Sequence, residues 1–196
     1  MSAAANTLAA MATVLHVSVS VDGFATGPDD DLTVLHGWAF GDSTMAMHPV
    51  VSREFEHAGA VVFGARTLRA GDEAWGDEDV FSSPVFVVTH ERRTPIQRNG
   101  SLFTFVESVE GAVAAARAVA GELDVVVMGS ANVAGQLLSL GLIDVLELAV
   151  TAVMLGEGTR LFDHVSPARL EVDRVLEGTR ITHLRYRFAE QLSAAR

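Results

Sequence analysis

Apolar residues in this chain gather in short runs divided by turns and by stretches with helical spacing. VLHVSVSV (Val14 to Val21) alternates apolar and small polar positions, the period of two expected of a strand. AVVFG (Ala60 to Gly64), PVFVVTH (Pro84 to His90), SLFTFV (Ser101 to Val106), Asp124–Met128 and VLELAVTAV (Val145 to Val153) predict five more. RLEVDRVLEG and TRITHLRYRF, joined around Gly178-Thr179, predict an antiparallel hairpin and bring the strands to eight. Pro49 suits a first helical turn, with Gly59 as its stop. Ser108 suits the cap of a helix over Val109–Ala120, whose apolar positions Val109, Ala112, Val113 and Ala116 share a face before Gly121. Asn132–Leu140 predicts another helix, with Gly141 as its stop. Strands interleaved with helices imply right-handed crossovers and a mainly parallel sheet. The expectation is one α/β domain over residues 13–190, after a flexible N-terminal tail over 1–12. The segment from Asp22 to Met47, with its Pro28-Asp29-Asp30-Asp31 turn, reads as a long loop of the kind that often carries function.

Composition narrows the chemistry. The 196 residues contain no cysteine, which excludes disulfides, thiol nucleophiles and thiolate metal ligands. The net charge of −11 argues against nucleic-acid and anionic membrane partners. An anionic ligand would therefore need a local arginine or a helix N-terminus. The first twenty residues lack the charged region of a secretory signal, no apolar run is long enough for a membrane helix, and a cytoplasmic protein is the expectation. The histidines form no H-x-x-x-H or H-E-x-x-H pattern, so no metal is expected. Neither G-x-G-x-x-G, a Walker motif nor G-x-S-x-G occurs.

Three strand ends nevertheless carry residues suited to an anion. Val61-Val62-Phe63 runs into Gly64-Ala65-Arg66-Thr67, Val87-Val88 into Thr89-His90-Glu91-Arg92-Arg93, and Val126-Val127-Met128 into Gly129-Ser130-Ala131-Asn132. Glycine lets backbone come close, and helix N-terminal N–H groups with nearby arginines favour phosphate. Each could equally be a plain strand-to-helix turn. Ligands of open α/β sheets bind at such carboxyl ends.

The order of these pieces resembles the dihydrofolate-reductase-like superfamily. It is closest to stand-alone relatives of the reductase domain of bifunctional riboflavin-biosynthesis deaminase–reductases. The matching residues are Ser20-Val21-Asp22-Gly23, Gly64-Ala65-Arg66-Thr67, Thr89-His90, Met128-Gly129-Ser130 with Gln136-Leu137-Leu138, Gly141-Leu142-Ile143-Asp144, and Leu155-Gly156-Glu157-Gly158-Thr159-Arg160-Leu161-Phe162. The resemblance implies a central eight-stranded mixed, mostly parallel sheet with flanking helices and a C-terminal antiparallel hairpin. It implies NADPH as cofactor and a small planar heterocycle, pterin-like or ribosylaminopyrimidine-like, as substrate. Gly64, Arg66 and Thr67 would meet cofactor phosphates, and Thr89, His90 and Arg92 would lie around the adenosine ribose and its 2′-phosphate. Gly129, Ser130, Ala131, Asn132 and Val133 would hold the pyrophosphate. Asp22 is the polar candidate at the substrate, or else shapes the turn before Gly23. Trp38 could stack on the heterocycle, or pack as a core aromatic under the loop. Dihydrofolate reductases also carry a carboxylate near the start of the helix before the Gly64 strand. Here Asp42 and Glu54 are the nearest acids, and Met128 and Ser130 stand where the riboflavin-pathway enzymes have Glu and Gly. The alternatives are a ligand-binding protein without turnover on the same scaffold, or a flavin-binding variant. Relatives with this fold are commonly dimers, and a homodimer is expected.

Overall fold

The computed structural model describes residues 11–37, 49–75, 80–98, 100–129, 131–163 and 165–191. Trp38, Asp42, Ser130 and the tail over 1–10 lie outside the described residues. In chain order the strands are β1 (Thr13–Ser20), β2 (Phe24–Thr26), β3 (Ala58–Gly64), β4 (Val85–Val88), β5 (Ile96–Arg98), β6 (Ser101–Val106), β7 (Asp124–Met128), β8 (Val145–Thr151), β9 (Thr159–Arg160), β10 (Ala168–Glu177) and β11 (Ile181–Gln191). The helices are α1 (Thr33–His36), α2 (Pro49–Glu56), α3 (Ala65–Trp75), α4 (Val109–Ala120) and α5 (Ala131–Ser139).

Nine strands form one mixed sheet in the order β10-β11-β8-β1-β7-β3-β4-β6-β5. The five central pairings, β8-β1, β1-β7, β7-β3, β3-β4 and β4-β6, are parallel. The terminal hairpin joins the sheet antiparallel, through Leu184 opposite Leu148. This is the mixed, mostly parallel sheet with flanking helices that the sequence implies, with two additions. A ninth strand, β5, pairs antiparallel with β6 at the far edge. The stretch expected as a loop after β1 contains β2, a 3-10 turn at Pro28–Asp30 and α1, and β2 pairs with β9 in a separate ribbon. Gly59 also lies inside β3 rather than ending the preceding helix, and its glycine serves close packing on the end of α4, since a Cβ there would come to 2.5 Å from the Ala120 carbonyl oxygen.

Every residue of β1 is buried, as a central parallel strand with both faces covered requires. Leu15, Val17 and Val19 pack into a core with Ala112, Val113 and Ala116 of α4 and Val133, Ala134 and Leu137 of α5. The opposite face of the sheet holds an aromatic core in which Phe63, Trp75, Phe81 and Phe103 meet edge-on or tilted, at 5.0–6.3 Å between ring centroids. Ser108 caps α4, accepting a hydrogen bond from the Gly111 amide at 3.1 Å. Among the described residues no helix is long and apolar enough to cross a membrane.

Candidate functional site

The two core layers determine where a ligand can enter. From β3 the chain turns directly into α3, which packs on the aromatic face and leads away to β4. From the neighbouring β7 it enters α5 on the opposite face and crosses to β8, beyond β1. The two connections part, and a crevice opens between the carboxyl ends of β3 and β7. This is the topological switch point at which open α/β sheets bind ligands.

The turn after β7 forms the floor of that crevice. Gly129 has φ of +52°, and its amide donates to the His16 carbonyl of β1 at 3.2 Å. A Cβ on Gly129 would lie 3.3 Å from the Thr67 hydroxyl in the first turn of α3. Backbone and hydroxyl from two strand ends thus converge at the base of a cavity of about 790 Å³. Along the α5 wall lie Ala131, Asn132 and Gly135. Gln136 holds the Asn132 side chain at 2.8 Å, and a Cβ at Gly135 would meet no atom within 4 Å. That wall is open backbone at the N-terminal half of a helix, the arrangement that suits a phosphate.

Across the cavity stand the β2–β9 ribbon and the 3-10 turn. Ala25 and Thr26 of β2, Thr159 and Arg160 of β9, and Asp30 and His36 line that side. Asp22 does not line the cavity. Its carboxylate accepts from the Ser20 hydroxyl (2.6 Å), the Leu155 amide (3.1 Å) and the Gly156 amide (2.7 Å). These bonds, led by that from Ser20, pull its pKa down to about 2. Asp22 therefore ties the β1–β2 turn to the 155–156 turn. Arg160 completes the clasp: it donates to the Asp22 carbonyl at 3.1 Å and covers the Phe24 ring at 4.3 Å. Burial lowers His36 to about 4, so it lines the cavity as a neutral imidazole at pH 7.

The structure brings together Arg66, Thr67, Gly129, Ala131 and Asn132 around one cavity. Gly64 sits behind them at the end of β3, and Val133 is buried beneath α5 in the core. Thr89, His90 and Arg92 lie one strand farther along the same sheet edge, where Gly64 pairs with Val88, and do not line the cavity. Ser130 and Trp38 are outside the described residues. Arg160, His36, Asp30 and Gly135 are lining residues that spacing alone did not single out. Of these, Arg160 alone falls in a stretch that carries the family resemblance, Leu155 to Phe162.

Glu54 of α2, one of the two acids nearest the dihydrofolate reductase carboxylate position, serves elsewhere. It faces His16 at 3.7 Å, Arg174 at 3.1 Å and Arg185 at 3.5 Å, over the fully buried Glu147. Burial, then the charge of Glu147, raises Glu54 to about 7 despite the two arginines. It lines a second cavity of about 390 Å³ beside Val14 and Asp124. Those residues begin β1 and β7, so this cavity lies toward the end of the sheet opposite the Gly129 turn. Among the described residues no group of three or more His, Asp or Glu is placed to hold a metal ion.

The geometry has counterparts among known folds. The chain is similar to a putative riboflavin biosynthesis protein of Shewanella sp. PV-4, with 20% identity, 92% of this chain and 100% of that chain covered, and a TM-score of 0.72. It is similar to a pyrimidine reductase-like protein of Corynebacterium diphtheriae, with 16% identity, 92% of each chain covered and a TM-score of 0.62. A dihydrofolate reductase of Enterococcus faecalis in complex with NADP(H) matches at 18% identity over 91% of this chain and 97% of that one, with a TM-score of 0.58. None of the curated proteins matches this chain. The model of the RibD C-terminal domain family matches residues 12–184, nearly the whole described structure. With that match added to the sheet order and the crevice between β3 and β7, the chain belongs to the RibD C-terminal domain family.

Proposed function

We propose that this protein is an NADPH-dependent reductase that delivers hydride to a small planar heterocycle, pterin-like or ribosylaminopyrimidine-like. The observation that carries the reading is the convergence of the Gly129 turn, the open wall of α5 and the first turn of α3 on one cavity at the switch point. The residues fit the cofactor. Gly129, Ala131 and Asn132 offer backbone at a helix N-terminus to the pyrophosphate, with Val133 packed behind them. Thr67 and Arg66 add a hydroxyl and a guanidinium, with Gly64 keeping the strand end slim. Thr89, His90 and Arg92 lie farther along the same edge, toward the adenosine end. When bound, the nicotinamide supplies hydride from C4. The protein's own work is to orient and to exclude water. Val17 and Ser18 form part of the cavity wall, and the β2–β9 ribbon covers it. Asp22 acts through that ribbon, as a positioning residue rather than a proton donor. His36 presents a neutral imidazole for hydrogen bonding.

The engagement of Asp22 with loop amides favours a second reading, a ligand-binding protein on this scaffold without turnover. Incubating the protein with NADPH and a panel of pterins and aminopyrimidines separates the two. Steady, substrate-dependent loss of NADPH absorbance supports the reductase; saturable binding without loss supports the second reading. A purified protein that is yellow would instead indicate a flavin-binding variant.

Self-association belongs to the same proposal. On β10 the exposed Leu170, Val172 and Val175 stand opposite Phe188, Tyr186 and Leu184 of β11. This apolar face at the sheet edge is the surface on which a second copy would pack.

A further inference from the structure

The geometry points to Asp30 as a residue that sets cofactor affinity by occupying Arg66. Resting on the NADPH reading above, this inference concerns what Arg66 does before the cofactor arrives. Arg66 stands in the first turn of α3 at the cavity, and one guanidinium nitrogen lies 3.1 and 3.2 Å from the two carboxylate oxygens of Asp30. No other carboxylate pairs with it among the described residues. Asp30 reaches across from the opposite wall, and both residues line the same cavity. The pair therefore bridges the mouth between the cover and the cofactor floor.

The position of Asp30 is fixed by its turn. The Gly27 amide donates to the Asp31 carbonyl at 2.8 Å, and the Asp31 amide donates to the Pro28 carbonyl at 3.0 Å. The Asp31 carboxylate in turn accepts from the Thr33 amide at 2.9 Å. Within this closed turn Asp29 and Asp30 both have positive φ, 55° and 62°, a conformation that non-glycine residues rarely adopt. Holding two successive aspartates there presents a carboxylate to Arg66. A cofactor phosphate seeking that guanidinium must displace Asp30 and approach its negative charge, in a chain already at −11. Asp30 thus lowers affinity in the resting protein, and once displaced it is free to move with the cover.

Asp30→Asn tests this, because asparagine also tolerates the left-handed conformation and only the charge is lost. NADPH affinity is measured by nicotinamide fluorescence in wild type, D30N, R66Q and the double variant, with thermal unfolding confirming that all four are folded. The expected result is NADPH binding about two- to fivefold tighter in D30N, the range of an exposed ion pair. That gain should vanish in the R66Q background. An unchanged or weaker affinity in D30N, or the same gain with R66Q, would overturn the inference while leaving wild-type binding intact. Failure of the wild type to bind NADPH at all would overturn it together with the reading on which it rests.

Discussion

Replacing Gly129 by alanine tests whether the turn after β7 holds a phosphate or merely joins a strand to a helix. An L-residue forced to φ of +52° costs roughly 1–2 kcal/mol. The new methyl would also sit 3.3 Å from the Thr67 hydroxyl, so α3 must yield by a few tenths of an ångström. At about 2–4 °C per kcal/mol for a chain of this size, Tm should fall by about 2–8 °C. That much is expected of either reading. The discriminating quantity is cofactor affinity. If the turn lies against phosphate, the methyl blocks close approach and disturbs at least one charge-assisted hydrogen bond. A loss of about 1.5–3 kcal/mol is then expected, roughly 10- to 150-fold in Kd. Gly121→Ala is the control. Gly121 also has a positive φ, +64°, with nothing near its Cβ position, and it lies before β7 at the other end of the sheet. Scanning calorimetry gives the two stabilities, and nicotinamide fluorescence the two affinities. G121A should lose stability and keep affinity. If G129A binds NADPH as tightly as wild type, or if G121A weakens binding equally, the Gly129 turn is only a turn.

Three further predictions concern the cover, the charge cluster and the sheet edge. Asp22, with its pKa held down to about 2, contributes stability that is present above its ordinary value of 3.8 and lost as pH falls through 2. D22N should flatten that acid limb and speed amide exchange at Leu155 and Gly156; an unchanged limb would contradict the clasp. Glu54 is raised to about 7, so its contribution is present below its ordinary value of 4.5 and lost as pH rises through 7. E54Q should therefore remove a decline in Tm between pH 4.5 and 8, and a decline that persists would show that another group causes it. Val172→Asp on the exposed face of β10 should convert a dimer to a monomer by light scattering; a wild-type monomer, or a dimeric variant, would contradict the packing face.

The sequence revealed strands better than it revealed the site. β1, β3, β7 and β8 are buried in runs dense with Val, Leu and Ala, and such runs mark parallel strands without ambiguity of face. The hairpin was legible for another reason: its alternation and the Gly178-Thr179 turn survive even though β10 is exposed along nearly its whole length. β5 escaped because three residues, the half-buried Ile96 and Arg98 around an exposed Gln97, are too few to show a period. α3 escaped because its buried stripe runs through Leu68 and Gly71 to a half-buried Trp75. A glycine that packs directly on an indole leaves no apolar side chain to count. At the site, strand ends pointed to Arg66, Thr67, Gly129, Ala131 and Asn132, which line one cavity, since each follows a recognisable strand. The opposing wall was hidden because Asp30, His36 and Arg160 reach it from a 3-10 turn, a four-residue helix and a two-residue strand. Elements that short take their shape from long-range contacts, such as Asp22 to Gly156, which no local pattern records.

The proposed binding of a nicotinamide dinucleotide phosphate in the crevice between β3 and β7 can be measured without any substrate. Titration of the purified protein with NADPH, followed by nicotinamide fluorescence, tests it most directly. Saturable binding is expected with Kd below about 1 mM, in the range where cofactors and substrates of enzymes commonly bind, and 2′,5′-ADP should reverse it competitively. Absence of any saturable change up to that concentration would contradict it.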